Sequence, residues 1–220
     1  MIQPDKIIRS NRKTLAVCID PFNRITVRAP KRCAQERIFS FLEEKEEWIL
    51  RHLKKNEGAG VRLPPENLHG YEFLLLGKTC SIRLSQEKKV LFDAQNYQVF
   101  VPEKNAQEHL KKWLKENANR ILSSLTQATA AKMGVQYKSV AISSAKTRWG
   151  SCTGDNAIRY TFRLLYAPKE VIAYVVVHEL AHVKHKNHSK AFWKEVEIYE
   201  PKWKSQRAWL KSHAYLTEIF

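Results

Sequence analysis

Residues 178–188 read HELAHVKHKNH, and no other stretch limits so tightly what this chain can fold into. On an α-helix, residues four apart are separated by about 40° around the axis and roughly 6 Å along it. His178 and His182 therefore project from one face, close enough to grip a single Zn²⁺ at about 2.0–2.1 Å each. Glu179 sits beside the first of them, where its carboxylate can take a proton from zinc-activated water. A third histidine on the same helix would be out of reach, because ten residues of helix would carry His188 about 15 Å from His178. The helix must end near His185 and the chain must turn back. Asn187 suits that turn because it tolerates φ > 0. His185 is the rival third residue. On a continuing helix it would be rotated about −60° from His182, yet lie about 10 Å along the axis from His178, so the spacing favours His188.

The apolar run Val171-Ile172-Ala173-Tyr174-Val175-Val176-Val177 leads into this segment. Its valines suit a strand equally well by propensity; the need for two histidines at i and i+4 decides for a helix. The same run is the longest apolar stretch in the chain, far short of a membrane span, and MIQPDKIIRSNRK at the start has no hydrophobic signal-peptide core. These readings predict a cytoplasmic protein with no membrane partner. Cys18, Cys33, Cys80 and Cys152 form no C-x-x-C pair and read as reduced thiols. Thirty-eight Lys and Arg against 22 Asp and Glu leave a net charge of +16, which allows attraction to polyanions without selecting one. Segment 184–211 is the basic face just beyond the histidines, with eight Lys/Arg against three Glu, and is the expected place for weak, salt-sensitive nucleic-acid binding.

In chain order, residues 5–29 read as extended, with Asp20-Pro21-Phe22-Asn23 as a hairpin turn. Apolar residues at helical spacing predict one helix over Gln35–Lys54, and Gly58, Gly60, Pro64 and Pro65 predict a linker over 55–69. Four β segments follow within 71–101, then a helix from about Ala106 to Lys132 stopped by Gly134. Strands are predicted at about 137–143 and 157–163, around Lys146-Thr147-Arg148-Trp149-Gly150-Ser151-Cys152. Pro168 is placed in the first turn of the histidine helix. A helix starting near Ser189 and a last amphipathic one using Trp203, Trp209 and Leu210 close the chain.

Three stretches carry a resemblance: KTRWGSC at 146–152, YVVVHELAHVKHKNH at 174–188, and Ser189 with Phe192-Trp193. Together with the turn Leu75-Leu76-Gly77, they make the chain similar to the YgjP-like zinc metallohydrolases, a zincin-type group, and more distantly to the SprT and WLM peptidases. The resemblance implies His178, His182 and His188 as zinc residues and Glu179 as general acid/base. It also implies an Asn in a pattern like L-N-W-R-L, where this chain has Thr161-Phe162-Arg163-Leu164; that departure touches a substrate contact of the strand, not the metal residues. A metzincin would need Gly at the position of His185 and a downstream Met-turn, whereas Met1 and Met133 both lie upstream.

The expected fold class is α+β: a zincin-like half with the H-E-x-x-H helix packed on a small sheet, preceded by a β-rich N-terminal half. The expected division is 1–104 and 105–220, or one integrated domain of 1–220. The expected function is zinc-dependent hydrolysis of a peptide or unfolded protein. Two alternatives stand beside it: a metal-dependent nucleoside triphosphate pyrophosphohydrolase (such as UTP to UMP), and a nucleic-acid binder with structural zinc. The chain has no P-loop to cradle a nucleotide, and structural zinc sites usually close with Cys. Arg148, Tyr199 and His213 are the candidates for substrate or oxyanion contact. Arg148-Trp149 also reads as packing between strands, and Cys152 as structural.

Overall fold

The computed structural model describes residues 2–20, 22–57 and 64–220. The chain divides into two compact units, Met1–Leu63 and Pro64–Phe220; the boundary expected at 104/105 falls inside the second.

In the first unit, β1 (Lys6–Ser10) pairs parallel with β3 (Ile25–Pro30), which pairs antiparallel with β2 (Ala16–Ile19). Along β3, Ile25, Val27 and Ala29 alternate inward, the period-2 pattern of a half-buried strand. The β2–β3 turn is held by Asp20, whose Oδ1 accepts from the backbone N–H of Phe22 and Arg24, with Asn23 at φ 62°; Pro21 lies outside the described residues. The helix expected over 35–54 is two: α1 (Gln35–Glu44) and α2 (Glu46–Glu57), interrupted at Lys45. Ile38, Leu42 and Ile49 pack on the inward face of β3. Of the linker expected over 55–69, residues 58–63, with Gly58 and Gly60, lie outside the described residues.

The second unit holds two small sheets and four helices. The first sheet runs β4 (Glu72–Leu75), β5 (Lys78–Ser85), β7 (Gln98–Pro102), β6 (Leu91–Asp93), with β5 and β7 parallel. Its neighbour α3 (Ala106–Met133) buries Leu110, Leu114, Ala118, Leu122, Thr126 and Ala130, one residue in every four. Four residues of helix turn about 400°, so this stripe drifts by about 40° per step. One helix thereby serves in turn as backing for β7, for the 3-10 segment Phe162–Tyr166 and for the elements of the second sheet.

That second sheet is β8 (Ser139–Ser143), β10 (Ala157–Thr161) and β9 (Gly150–Cys152), with β8 parallel and β9 antiparallel to the central β10. The strand expected to 163 stops at Thr161. Its Oγ1 donates to Ala145 O, and the chain then tightens into the 3-10 segment, carrying Arg163 inward. The Arg163 guanidinium is buried and donates to the carbonyls of Ser144, Ile219 and Phe220. It thus anchors the start of the loop that leads to β9.

The central helix α4 (Lys169–Lys184) is buried nearly all round, through Val171, Ile172, Tyr174 to Val177, and Glu179 to Ala181, as expected for a helix at the middle of a core. Pro168 caps it from outside rather than sitting in its first turn. The β4–β5 hairpin turns at Leu76 and Gly77, φ 52° and 78°, and a Cβ on Gly77 would stand 2.8 Å from Pro168 Cα. Only glycine allows the hairpin to close there and brace the start of α4. The chain continues through α5 (Lys190–Tyr199) and α6 (Trp203–Ser212). The unit is therefore α+β, with α4 against a small sheet as expected. Among the described residues no helix is long and apolar enough to cross a membrane.

Candidate metal centre

Helix α4 ends at Lys184, and His185 adopts extended angles, φ −128° and ψ 103°. The turn that follows reverses the chain; Asn187 Oδ1 accepts from the Ser189 N–H, and Ser189 Oγ then caps α5 by accepting from Phe192 N–H. The reversal brings His188 back to the helix. Ring nitrogens of His178, His182 and His188 all lie within 4.8 Å of one another, and the Nε2 atoms of His178 and His188 are 3.1 Å apart. Two nitrogens bound to one tetrahedral zinc at about 2.05 Å stand roughly 3.3 Å apart, so the spacing fits a shared cation. His185 is outside this group. Its part is a carbonyl: His182 Nδ1 donates to His185 O at 2.9 Å, which places the proton on Nδ1 and leaves Nε2 with its lone pair.

The electrostatics also suit a cation. Burial, then the neighbouring His182 and His188 rings, pushes His178 down to about 3, and burial lowers His182 as well. Both rings are therefore neutral at pH 7, the state in which imidazole binds metal. Phe192 packs its ring within 4.5–4.9 Å of all three imidazoles and is itself fully buried. Glu179 is turned away from water, and burial raises it to about 8, with Arg148 acting in the opposite sense.

Three further residues join the site. Gly150 on β9 lies directly against the Glu179 carboxyl, which gives the RWGSC stretch a partner that its sequence does not name. Tyr174, one helical turn before His178, brings its hydroxyl to 3.5 Å from His178 Nδ1; the i, i+4 relation to His178 was the available signal. Arg207 on α6 lies 5.2 Å over the Trp193 ring, and no local pattern marks it. Of the three residues expected to contact substrate, Arg148 is exposed and its charge reaches Glu179. His213 is stacked on Trp209 at 4.0 Å. Tyr199 closes α5 and makes no hydrogen bond or ring contact with the three histidines among the described residues. Cys152 is half-buried and burial raises its thiol, in keeping with a structural part.

The model of the YgjP-like metallopeptidase domain matches residues 13–213. The chain belongs to the YgjP-like metallopeptidase family. Two solved structures are similar to part of the chain. The metallopeptidase zymogen of Pyrococcus abyssi abylysin is 26% identical over 42% of this chain and 93% of its own, with a TM-score of 0.39. The zymogen of Methanocaldococcus jannaschii jannalysin is 21% identical over 43% of this chain and 96% of its own, with a TM-score of 0.38. No curated protein sequence matches. Membership of the YgjP-like family makes this a metallopeptidase-type hydrolase, and a metal ion is part of what that family implies.

Proposed function

We propose that this YgjP-like protein is a zinc-dependent peptidase that uses His178, His182 and His188 as ligands and Glu179 as general acid/base. The observation that carries the reading is the convergence of three imidazoles within 4.8 Å, beside one buried carboxyl. Donors that are all nitrogen, with no Cys among them, suit a catalytic rather than a structural zinc. When bound, zinc supplies Lewis acidity and water of lowered pKa.

The protein's own groups do the rest. The His185 carbonyl and the Tyr174 hydroxyl hold the Nδ1 sides of His182 and His178, so that both Nε2 atoms face inward. Glu179 takes a proton from the attacking water and hands it to the departing amine. The affinity for a proton that burial gives this carboxyl suits it to work near neutral pH. Gly150 lies close against it, which keeps it in one position. Strand β9 is an edge strand of its sheet, so an extended peptide laid along its unpaired side passes the carboxyl, with main-chain hydrogen bonds holding register. Arg148, the exposed cation beside Glu179, is the candidate contact to the developing oxyanion.

The test compares zinc-loaded native protein with Glu179→Gln on an unfolded protein substrate. Native protein should carry about one zinc per chain and cleave; the variant should keep the metal and lose turnover. Cleavage by Glu179→Gln at the native rate overturns the reading.

A further inference from the structure

Helix α6 contributes two side chains to the neighbourhood of the three histidines. Leu210 lines a small cavity of about 190 Å³ together with Trp149, Tyr174, Val175, His178 and Glu179. Arg207 stands three residues earlier, on the same helical face. The helix is fixed in this position by its buried Gln206, whose Nε2 donates to Glu170 O at the start of α4 and to Glu200 Oε2 at the end of α5. It is fixed again by Trp203, stacked on Trp193 at 4.2 Å and 20°.

Trp193 in turn holds the guanidinium. Arg207 Cζ lies 5.2 Å from its ring centroid, and the same ring is 5.9 Å from His178 and 5.6 Å from His188. Stacking on an aromatic face restricts a guanidinium without using its N–H groups. Arg207 is exposed and enters no ion pair or hydrogen bond among the described residues. Its charge is felt at both Tyr174 and His178, two of the residues that line the cavity. Glu200, at the C-terminal end of α5, is engaged by Gln206. A pre-positioned fork of five donors beside the candidate metal centre, with no internal acceptor, matches one ligand chemistry above others: a carboxylate held bidentately.

We propose that Arg207 is the docking point for a carboxylate side chain of the substrate, so that the site selects acidic peptides. The proposal rests on the peptidase reading for its biological sense, but binding tests it without turnover. The probe is a fluorescein-labelled, C-terminally amidated octapeptide of alanine and leucine with two glutamates, compared with the same peptide carrying two glutamines. Both are titrated at low salt against full-length, zinc-loaded Glu179→Gln protein, alone and combined with Arg207→Gln, Arg207→Lys or Lys211→Gln.

The glutamate peptide should bind about 10-fold more tightly than its glutamine counterpart. Arg207→Gln should bring the two within about twofold, Arg207→Lys should retain only part of the preference because it lacks the fork, and Lys211→Gln should leave it intact. Equal losses from Arg207→Gln and Lys211→Gln would assign the preference to diffuse charge and overturn the proposal. So would a lack of preference in the parent protein. A third overturning result is an Arg207→Gln defect in native protein confined to kcat and equal for both peptides, which would make Arg207 an oxyanion contact instead. A preference that depends on Arg207, in a native protein that cleaves no peptide, would sink the peptidase reading while leaving this contact standing.

Discussion

Gly150 and Glu179 are in such close contact that a Cβ on the glycine would stand 2.5 Å from Glu179 Oε1 and 2.9 Å from its Cδ and Cγ. The obstacle is not the loose end of a surface side chain. Glu179 is buried on α4, and Gly150 is held in β9 by pairing with Tyr160, so neither partner has an easy direction of retreat. A methyl group there must displace the carboxyl. Gly150→Ala is expected to lower kcat by on the order of 100-fold, the scale of a 1 Å misplacement of a reacting group. Zinc content should stay at the native level, because the atoms nearest a Cβ there all belong to Glu179 and not to a histidine. Metal analysis and steady-state kinetics on the same preparation check both halves.

His185 and His188 should separate in the same way. His188 presents its ring to the other two histidines, whereas His185 presents only its backbone carbonyl to His182. Alanine keeps that carbonyl. His188→Ala should therefore lose most zinc affinity in a competitive chelator titration, and His185→Ala should remain within a few-fold of native. Loss of zinc from His185→Ala alone would reverse the roles.

The metal-free protein should show a pH optimum of stability set by the same buried groups. Glu179 is raised from 4.5 to about 8. Its contribution is fully present below about 4.5 and is lost as pH rises through about 8, because the unfolded chain releases the proton earlier. His178 is lowered from 6.5 to about 3, and His182 is lowered too. Their contributions are present above about 6.5 and are lost as pH falls, because the unfolded chain takes up protons first. Between about 4.5 and 6.5, His178 and Glu179 oppose each other and His182 tips the balance toward loss in acid. The maximum accordingly lies near 6.5. In chelator, Tm should fall as pH is raised from 6.5 to 8, and Glu179→Gln, which has no proton to release, should flatten that limb. A Tm in the variant that falls as steeply as in the native protein would refute the assignment of Glu179 as the group responsible.

How far the site could be read from sequence depended on whether its members are related by a local period. His178, Glu179 and His182 share one helical repeat, and His188 followed from the impossibility of reaching the metal along the same helix. Ser189 capping α5 and Gly134 capping α3 were likewise local. Gly150 stands within RWGSC, but its partner lies 29 residues away across a sheet-to-helix contact, and nothing in the stretch encodes that. The three-residue strand β9 is too short to show an alternating pattern. The break at Lys45 leaves no mark in the sequence, because the apolar spacing of α1 continues into α2 with little change of phase. The parallel pairings β1–β3, β5–β7 and β8–β10 were also hidden, because strand order is set by which faces are covered and not by the strands' own composition.

The last prediction concerns Lys186, which composition placed in a basic face open to polyanions. Its ammonium, on an exposed side chain, donates to Thr153 O and Asn156 Oδ1 in the turn between β9 and β10. Lys184, two residues earlier, donates to Met133 O at the end of α3 and pairs with Glu195 on α5 at 2.8 Å. These two lysines hold the chain on either side of His185, immediately before the turn that returns His188. The ordering matters for metal affinity, since a ligand on a freely moving loop must be fixed when the ion binds. Lys186→Met keeps the length and removes the donors. It should weaken zinc binding by about 10-fold, the lower end of what loss of an orienting contact costs. Lys186→Arg, which can reach the same acceptors, should recover part of that loss, and Lys190→Met, exposed on α5, should have no effect. If Lys186→Met binds zinc as tightly as native protein while weakening salt-sensitive binding to an oligonucleotide, Lys186 is a surface charge after all, and the turn must be held by Lys184 and the Ser189 cap alone.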